Sequence, residues 1–178
     1  MSGPKLRSEI DANEAAVLRS LVESVHGMLT QRSDSAQQDP LAELTGMRTG
    51  NSVPPEEPSL ARLLPDFHKP DPRDDGGDLN GALRSLHEPE IIDAKTAAAE
   101  TLLQTLPREG GKIVITPEQA DAWMAALNDV RLVVGTALNI EPDMPDELDP
   151  NDPRAPHLPV YHWLTWMQDS LIQALMGE

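Results

Sequence analysis

Asn128, Asp129 and Arg131 crowd into one turn of the apolar stretch Thr116 to Leu138, and Gln168 and Asp169 stand side by side in the apolar stretch Tyr161 to Leu175. A guanidinium, two carboxylates and two amides form the one group in this sequence with the chemistry to grip an anionic ligand or to lock two helices. At helical spacing Arg131 falls on the margin of an arc bearing Leu127, Val130 and Leu138, so its charge is expected to be partly desolvated. An unpaired charge there would cost several kcal/mol or more, on the order of the penalty for stranding an ion. Gln168 lies on the flank of its own apolar stripe beside Tyr161 and Ile172, and a buried amide calls for a partner. The spacing therefore predicts that Asn128 and Arg131 meet Gln168, with Asp169 as a further acceptor. The first reading is a polar network that fixes how the two helices pack, and the second is a pocket for a ligand or partner built from the same groups.

Other chemistry is poorly supplied. There is no Ser, His and Asp arrangement, no HExxH and no phosphate-cradling glycine loop, and the five histidines are scattered. The absence of cysteine removes disulfides, thiolate metal sites and cysteine nucleophiles. The stretch DPRDDGGDLNG, from Asp71 to Gly81, clusters carboxylates around glycines, but the EF-hand register fails, with Arg73 third and Ala82 twelfth. His26 has no second ligand one turn away. No catalytic residue, cofactor or metal site is assigned.

The polar group needs elements to hold it. Thr116, Pro117, Glu118 and Gln119 form a capping box with proline in the first turn, which starts a central helix running to Leu138. Gly135 costs a helix interior about 1 kcal/mol, so it is expected to admit the close approach of another backbone. The final helix, Pro159 to Met176, carries Val160, Leu164, Met167, Leu171 and Leu175 on one stripe, widened by Trp163. A first amphipathic helix is expected over Ser8 to Arg32, with Ile10, Leu18, Val22, Val25 and Leu29 on its apolar face.

Between them, residues 33–78 read as a connection with short turns at Leu41 to Leu44 and Ser59 to Leu64. Asp78 to Leu106 reads as two helices split at Pro89, because proline removes a donor and crowds the preceding turn. Lys112 to Ile115, KIVI, is expected to be an extended lead into the central helix and not part of a sheet. The run EPDMPDELDPNDP, from Glu141 to Pro153, should wrap the surface.

Length and charge bound the rest. The expected architecture is an all-α, irregular helical bundle of five or six main helices in one domain, 1–178, with a flexible arm over 1–7 and acidic, proline-rich surface connections at 33–58 and 139–158. Fourteen basic residues against thirty acidic ones give a net charge of −16, which repels phosphate backbones and anionic lipid. Neither nucleic acid nor membrane is expected as a partner, and a cytoplasmic location follows from the lack of an apolar leader or spanning stretch. Apolar excess on the last two helices, including Trp166 outside the main stripe, points to a homodimer.

Four motifs carry a family resemblance: DPLAEL at Asp39, SLARLLPD at Ser59, AWMAALNDVRLVVGTAL at Ala122 and YHWLTWMQDSLIQAL at Tyr161. Together they resemble an actinobacterial domain-of-unknown-function family whose genes commonly lie beside that of the ClpS adaptor of the Clp protease. The segment GALRSLHEPEI departs from the family's usual acidic, aromatic and double-arginine pattern, keeping Arg84. The resemblance implies a small helical cytoplasmic protein without an established activity, and some members carry a transcriptional-regulator label. Leu127, Asn128, Asp129, Arg131, Gly135, Trp163, Thr165, Gln168 and Ser170 match the motifs without roles attached.

The expected function is therefore that of a non-catalytic interaction or regulatory protein with a protein partner, linked through the resemblance to Clp-dependent proteolysis. The alternatives are an enzyme or small-ligand binder using a polar pocket around Arg131, and a transcriptional regulator.

Overall fold

A computed structural model describes residues 5–37, 39–69, 72–73 and 78–177. Asp71, Asp74 and Asp75, three of the carboxylates behind the calcium reading of Asp71 to Gly81, lie outside these residues, and the fourth, Asp78, accepts from the Gly81 amide at the start of a helix. The fold is an all-α, irregular helical bundle with one small sheet, and its elements follow from local signals.

Asp11 begins the first helix, α1 (Ala12–Asp34), through a capping box: its carboxylate accepts from the Glu14 amide at 2.8 Å, and Glu14 accepts from the Asp11 amide at 3.0 Å. The helix thus starts later than the expected Ser8. The residues before it form strand β1 (Leu6–Ile10), antiparallel to β2 (Gly111–Ile115), with Leu6 opposite Ile115, Ser8 opposite Ile113 and Ile10 opposite Gly111. This overturns two expectations. Lys112 to Ile115 belongs to a sheet, and the arm expected over 1–7 is a paired strand from Leu6 onward. Ile10, Ile113 and Ile115 point into the core, and their burial is what recruits the two short strands. Gly110 permits the junction: its φ is +76°, and a Cβ there would lie 2.6 Å from the Ala12 nitrogen.

Two short helices follow α1: α2 (Pro40–Thr45) and α3 (Pro58–Leu63), the second capped by the Glu57 carboxylate. Helix α4 (Leu79–Thr105) runs unbroken through Pro89, against the expected split. The physical reason lies in the preceding loop. Proline at 89 leaves the Ser85 carbonyl without its helical donor, and the Gly50 amide supplies one at 2.7 Å. A Cβ on Gly50 would come within 2.9 Å of the Pro89 ring, so only glycine brings that amide close enough.

Helix α5 (Pro117–Ala137) opens on the Thr116 and Gln119 capping box and packs against α3, α4 and α6 (Leu158–Met176), with α1 on its remaining side. Trp123 is buried on it and donates its indole N–H to the Thr105 hydroxyl at 2.7 Å. Leu18, Leu102, Leu127 and Leu164, one from each long helix, are fully excluded from solvent. Each such side chain is worth about 1.5–3 kcal/mol relative to exposure. Gly135 has a different neighbour from the one expected: a Cβ there would meet the Tyr161 ring of α6 at 3.2 Å, so it accommodates a side chain and not a backbone. No helix among the described residues is long and apolar enough to cross a membrane.

Candidate functional site

Helices α5 and α6 bring Arg131 and Gln168 together. The Arg131 guanidinium donates through Nη1 to Gln168 Oε1 at 2.5 Å, and Gln168 is only 7% exposed. The guanidinium also lies 5.8 Å from the centroid of the Tyr161 ring, within the range of a cation–π contact. Open clefts of about 390 Å³ and about 250 Å³ flank it, lined with the help of Gly135, Asn139 and Arg62 in one and Glu141, Asp146 and His162 in the other.

The other members expected here stand elsewhere. Asn128 and Asp169 face solvent without a hydrogen-bond partner among the described residues. Asp129 is buried on the opposite side of α5, where Lys95 of α4 donates to its carboxylate at 2.6 Å. Burial pushes the Asp129 carboxyl above the ordinary carboxylate range, while the Lys95 hydrogen bond and charge pull it back. The polar residues of α5 therefore serve two interfaces, one toward α6 and one toward α4.

A larger charge cluster gathers around α4. On α4, Arg84 and Glu88 are one turn apart and nearly inaccessible, with Arg84 Nη1 donating to Glu88 Oε2 at 3.0 Å. Arg84 also donates to the Leu64 carbonyl at 3.0 Å and to the Asp66 carboxylate at 2.9 Å. From α1, Arg32 donates to both Glu88 oxygens, at 2.7 and 3.2 Å, and to the Val53 carbonyl. Two guanidiniums thus face two carboxylates, and the Phe67 ring covers Arg84 at 5.9 Å. Only Arg84 Nε is buried without an acceptor among the described residues. The signal for this pair was the spacing of Arg84 and Glu88 in RSLHE; the long-range members, Arg32 and Asp66, had none.

The acids of this cluster are occupied by cations, and His26 spends its ring nitrogen on Glu100 at 3.0 Å. Among the described residues no group of three His, Asp or Glu side chains could hold a metal ion. The buried charges, Arg84, Glu88 and Asp129, are each paired across or along the helices.

The chain belongs to the family described as Domain of unknown function (DUF2017), whose model matches residues 1–175. It is similar to a protein of Mycobacterium tuberculosis (strain ATCC 25618 / H37Rv) named "Oxidative stress regulator AosR", with 47% identity over 184 aligned positions, 99% of this chain and 84% of the relative. A Mycobacterium bovis (strain ATCC BAA-935 / AF2122/97) protein of the same name gives the same figures. No solved structure matches the chain.

Proposed function

We propose that the protein is a regulator in the response to oxidants and acts by binding another protein, without catalysing a reaction. The observation that carries this is the likeness, along nearly the full chain, to relatives named as oxidative stress regulators. The geometry supports it: buried charges are consumed in holding helices together, which leaves recognition to the surface. A net charge of −16 favours a protein partner over a DNA operator. With no cysteine in the sequence, this chain takes part in no thiol–disulfide exchange of its own, so a thiol-based signal has to reach it from a partner.

Deleting the gene in its native host and challenging with hydrogen peroxide tests the reading. The expected result is altered survival and transcript response, restored by the wild-type gene. Unchanged responses in both measurements would remove it. The link to Clp-dependent proteolysis rests on the gene neighbourhood of the resembling family. Capture of partners from native cells with and without Clp components tests that link separately.

A further inference from the structure

Strand β1 pairs on one side only: the sheet has two strands, and the opposite edge of β1 carries no further strand among the described residues. A groove of about 330 Å³ runs beside it, and all five residues from Leu6 to Ile10 line that groove. Ile113 and Ile115 of β2 line it as well, so the groove lies across the inner face of the sheet, and the presence of Arg7 and Glu9, which point to the other face, shows that it also takes in β1 itself. Its far wall is the α6 side, where Trp163, Met167 and Trp166 stand, the last of them 63% exposed. An unpaired edge beside an apolar wall is a template for another strand.

The sequence of this edge says which strand. From Lys5 it reads Lys, Leu, Arg, Ser, Glu, Ile, Asp. Laid antiparallel on a second copy about a twofold axis at Ser8, Arg7 stands opposite the partner's Glu9, Leu6 opposite the partner's Ile10, and Lys5 opposite the partner's Asp11. Every charge meets its opposite and each apolar residue meets another, at the separation where cross-strand pairs interact. Arg7, Ser8 and Glu9 are exposed in the single chain and free to make these pairs.

We infer that the protein forms a symmetric dimer by antiparallel pairing of β1 with the β1 strand of a second copy. The product is a four-stranded sheet in the order β2, β1, β1, β2 with the axis at Ser8. Because the axis stands normal to the sheet, both α6 helices lie on the same side of it, where exposed Trp166 gains cover. The net charge of −16 on each copy opposes association, but at physiological ionic strength charges more than about 8 Å apart are largely screened. The local complement along β1 then decides the geometry. This inference is independent of the regulatory reading above.

Sedimentation of the full chain across the micromolar range should show a dimer. Arg7→Glu and Glu9→Arg each place like charges opposite one another twice, by symmetry, and should weaken it about tenfold or more. The double variant Arg7→Glu/Glu9→Arg restores opposite charges and should recover the dimer. Far-UV circular dichroism checks that each variant keeps its helices.

The lack of native cysteine allows a second, independent test. Residues opposite each other across antiparallel strands have Cα atoms about 4.5–5.5 Å apart, inside the span of a disulfide. Oxidised Ser8→Cys should therefore run as a covalent dimer. Arg7→Cys, about 7–8 Å from its own symmetry mate on the diagonal, should link far less. A wild-type monomer would overturn the inference. So would a dimer indifferent to both charge reversals, or one lost only on Trp166→Asp, which places the interface on α6.

Discussion

Arg84 and Glu88 stand one turn apart on α4, both shut away from solvent, and the 3.0 Å hydrogen bond between them anchors a cluster that gathers α1, α4 and two loop segments. Burying Arg84, Glu88 and most of Arg32 is costly, and the cost is offset here by pairing each with an opposite charge, the exposed Asp66 among them. Removing one partner is therefore worse than removing the set. Glu88→Gln leaves two guanidiniums facing no counter-charge except Asp66 and should destabilise by about 3–5 kcal/mol. Arg32→Met/Arg84→Met/Glu88→Leu keeps similar volume without charge and should lose less than the single change, even with the Val53 and Leu64 carbonyls left short of donors. Urea denaturation of the two variants measures the difference, and a triple variant weaker than Glu88→Gln would refute the pairing account.

Across the α5 and α6 contact, Arg131 and Gln168 form a charge-assisted hydrogen bond whose acceptor is buried and whose donor is half-buried. Partial solvent access moderates its worth. A double-mutant cycle with Arg131→Met and Gln168→Leu should give a coupling energy of about 0.5–1.5 kcal/mol. The same cycle with Asn128 in place of Arg131 should give none, since Asn128 faces solvent. Equal coupling in both cycles would contradict the geometry.

Much of this arrangement was legible in the sequence because its causes are local. The capping box at Thr116 and Gln119 and the apolar stripes of α5 and α6 lie within a few turns of chain, and they located both helices and the meeting of Arg131 with Gln168. The pairing of β1 with β2 was not legible. It joins residues about a hundred positions apart, and each five-residue strand is too short to show a period that excludes other conformations. Pro89 misled for a related reason: the donor that rescues its helix comes from Gly50, far back in the chain. Asn128, expected to meet Gln168, faces solvent, and Asp129, expected only in the alternative pocket with Arg131, turns toward Lys95 of α4, because spacing along one helix does not say which neighbouring helix each side of it meets.

That placement of Asp129 has a pH signature. Its folded carboxyl is raised, chiefly by burial, above the ordinary value of about 3.9. The folded state therefore binds the proton more tightly than the unfolded state. The stability this contributes is full below about pH 3.9 and is lost as pH rises through the folded pKa. Asp129→Asn cannot titrate, so its stability relative to wild type should be higher at pH 7 than at pH 3.5. Parallel denaturant series at the two pH values would show this, and an unchanged or reversed difference would show that Lys95 outweighs burial.

In the acidic connection after α5, Arg154 donates to both oxygens of Asp152, holding that carboxyl down to about 2, and reaches the Leu138 carbonyl at the end of α5. Arg154→Ala removes the side-chain donors. The Asp152 carboxyl should then rise from about 2 toward the ordinary value but stay below it, because the backbone amide of residue 154 still donates to it at 2.9 Å, as followed by carbon NMR of the side-chain carboxyls. A resonance still titrating near the wild-type value would assign the shift to the backbone amides of the loop.

Gly50 and Pro89 together test whether the continuity of α4 is borrowed from the loop before it. The Gly50 amide serves the one carbonyl that Pro89 strands, and the approach leaves no room for a Cβ, which would lie 2.9 Å from the ring. Gly50→Ala must therefore push the loop away and expose the Ser85 carbonyl, at a cost of about 1–3 kcal/mol. Pro89→Ala restores a helical N–H to that carbonyl and removes the ring that crowds position 50. In that background Gly50→Ala should cost less, and the Gly50 amide should exchange its hydrogen faster because its acceptor now has a competitor. Hydrogen exchange and denaturant melts of the four members of the cycle measure both effects. Additive costs with unchanged exchange at Gly50 would mean that the proline and the glycine stabilise the fold independently, and that α4 does not depend on the loop to pass through residue 89.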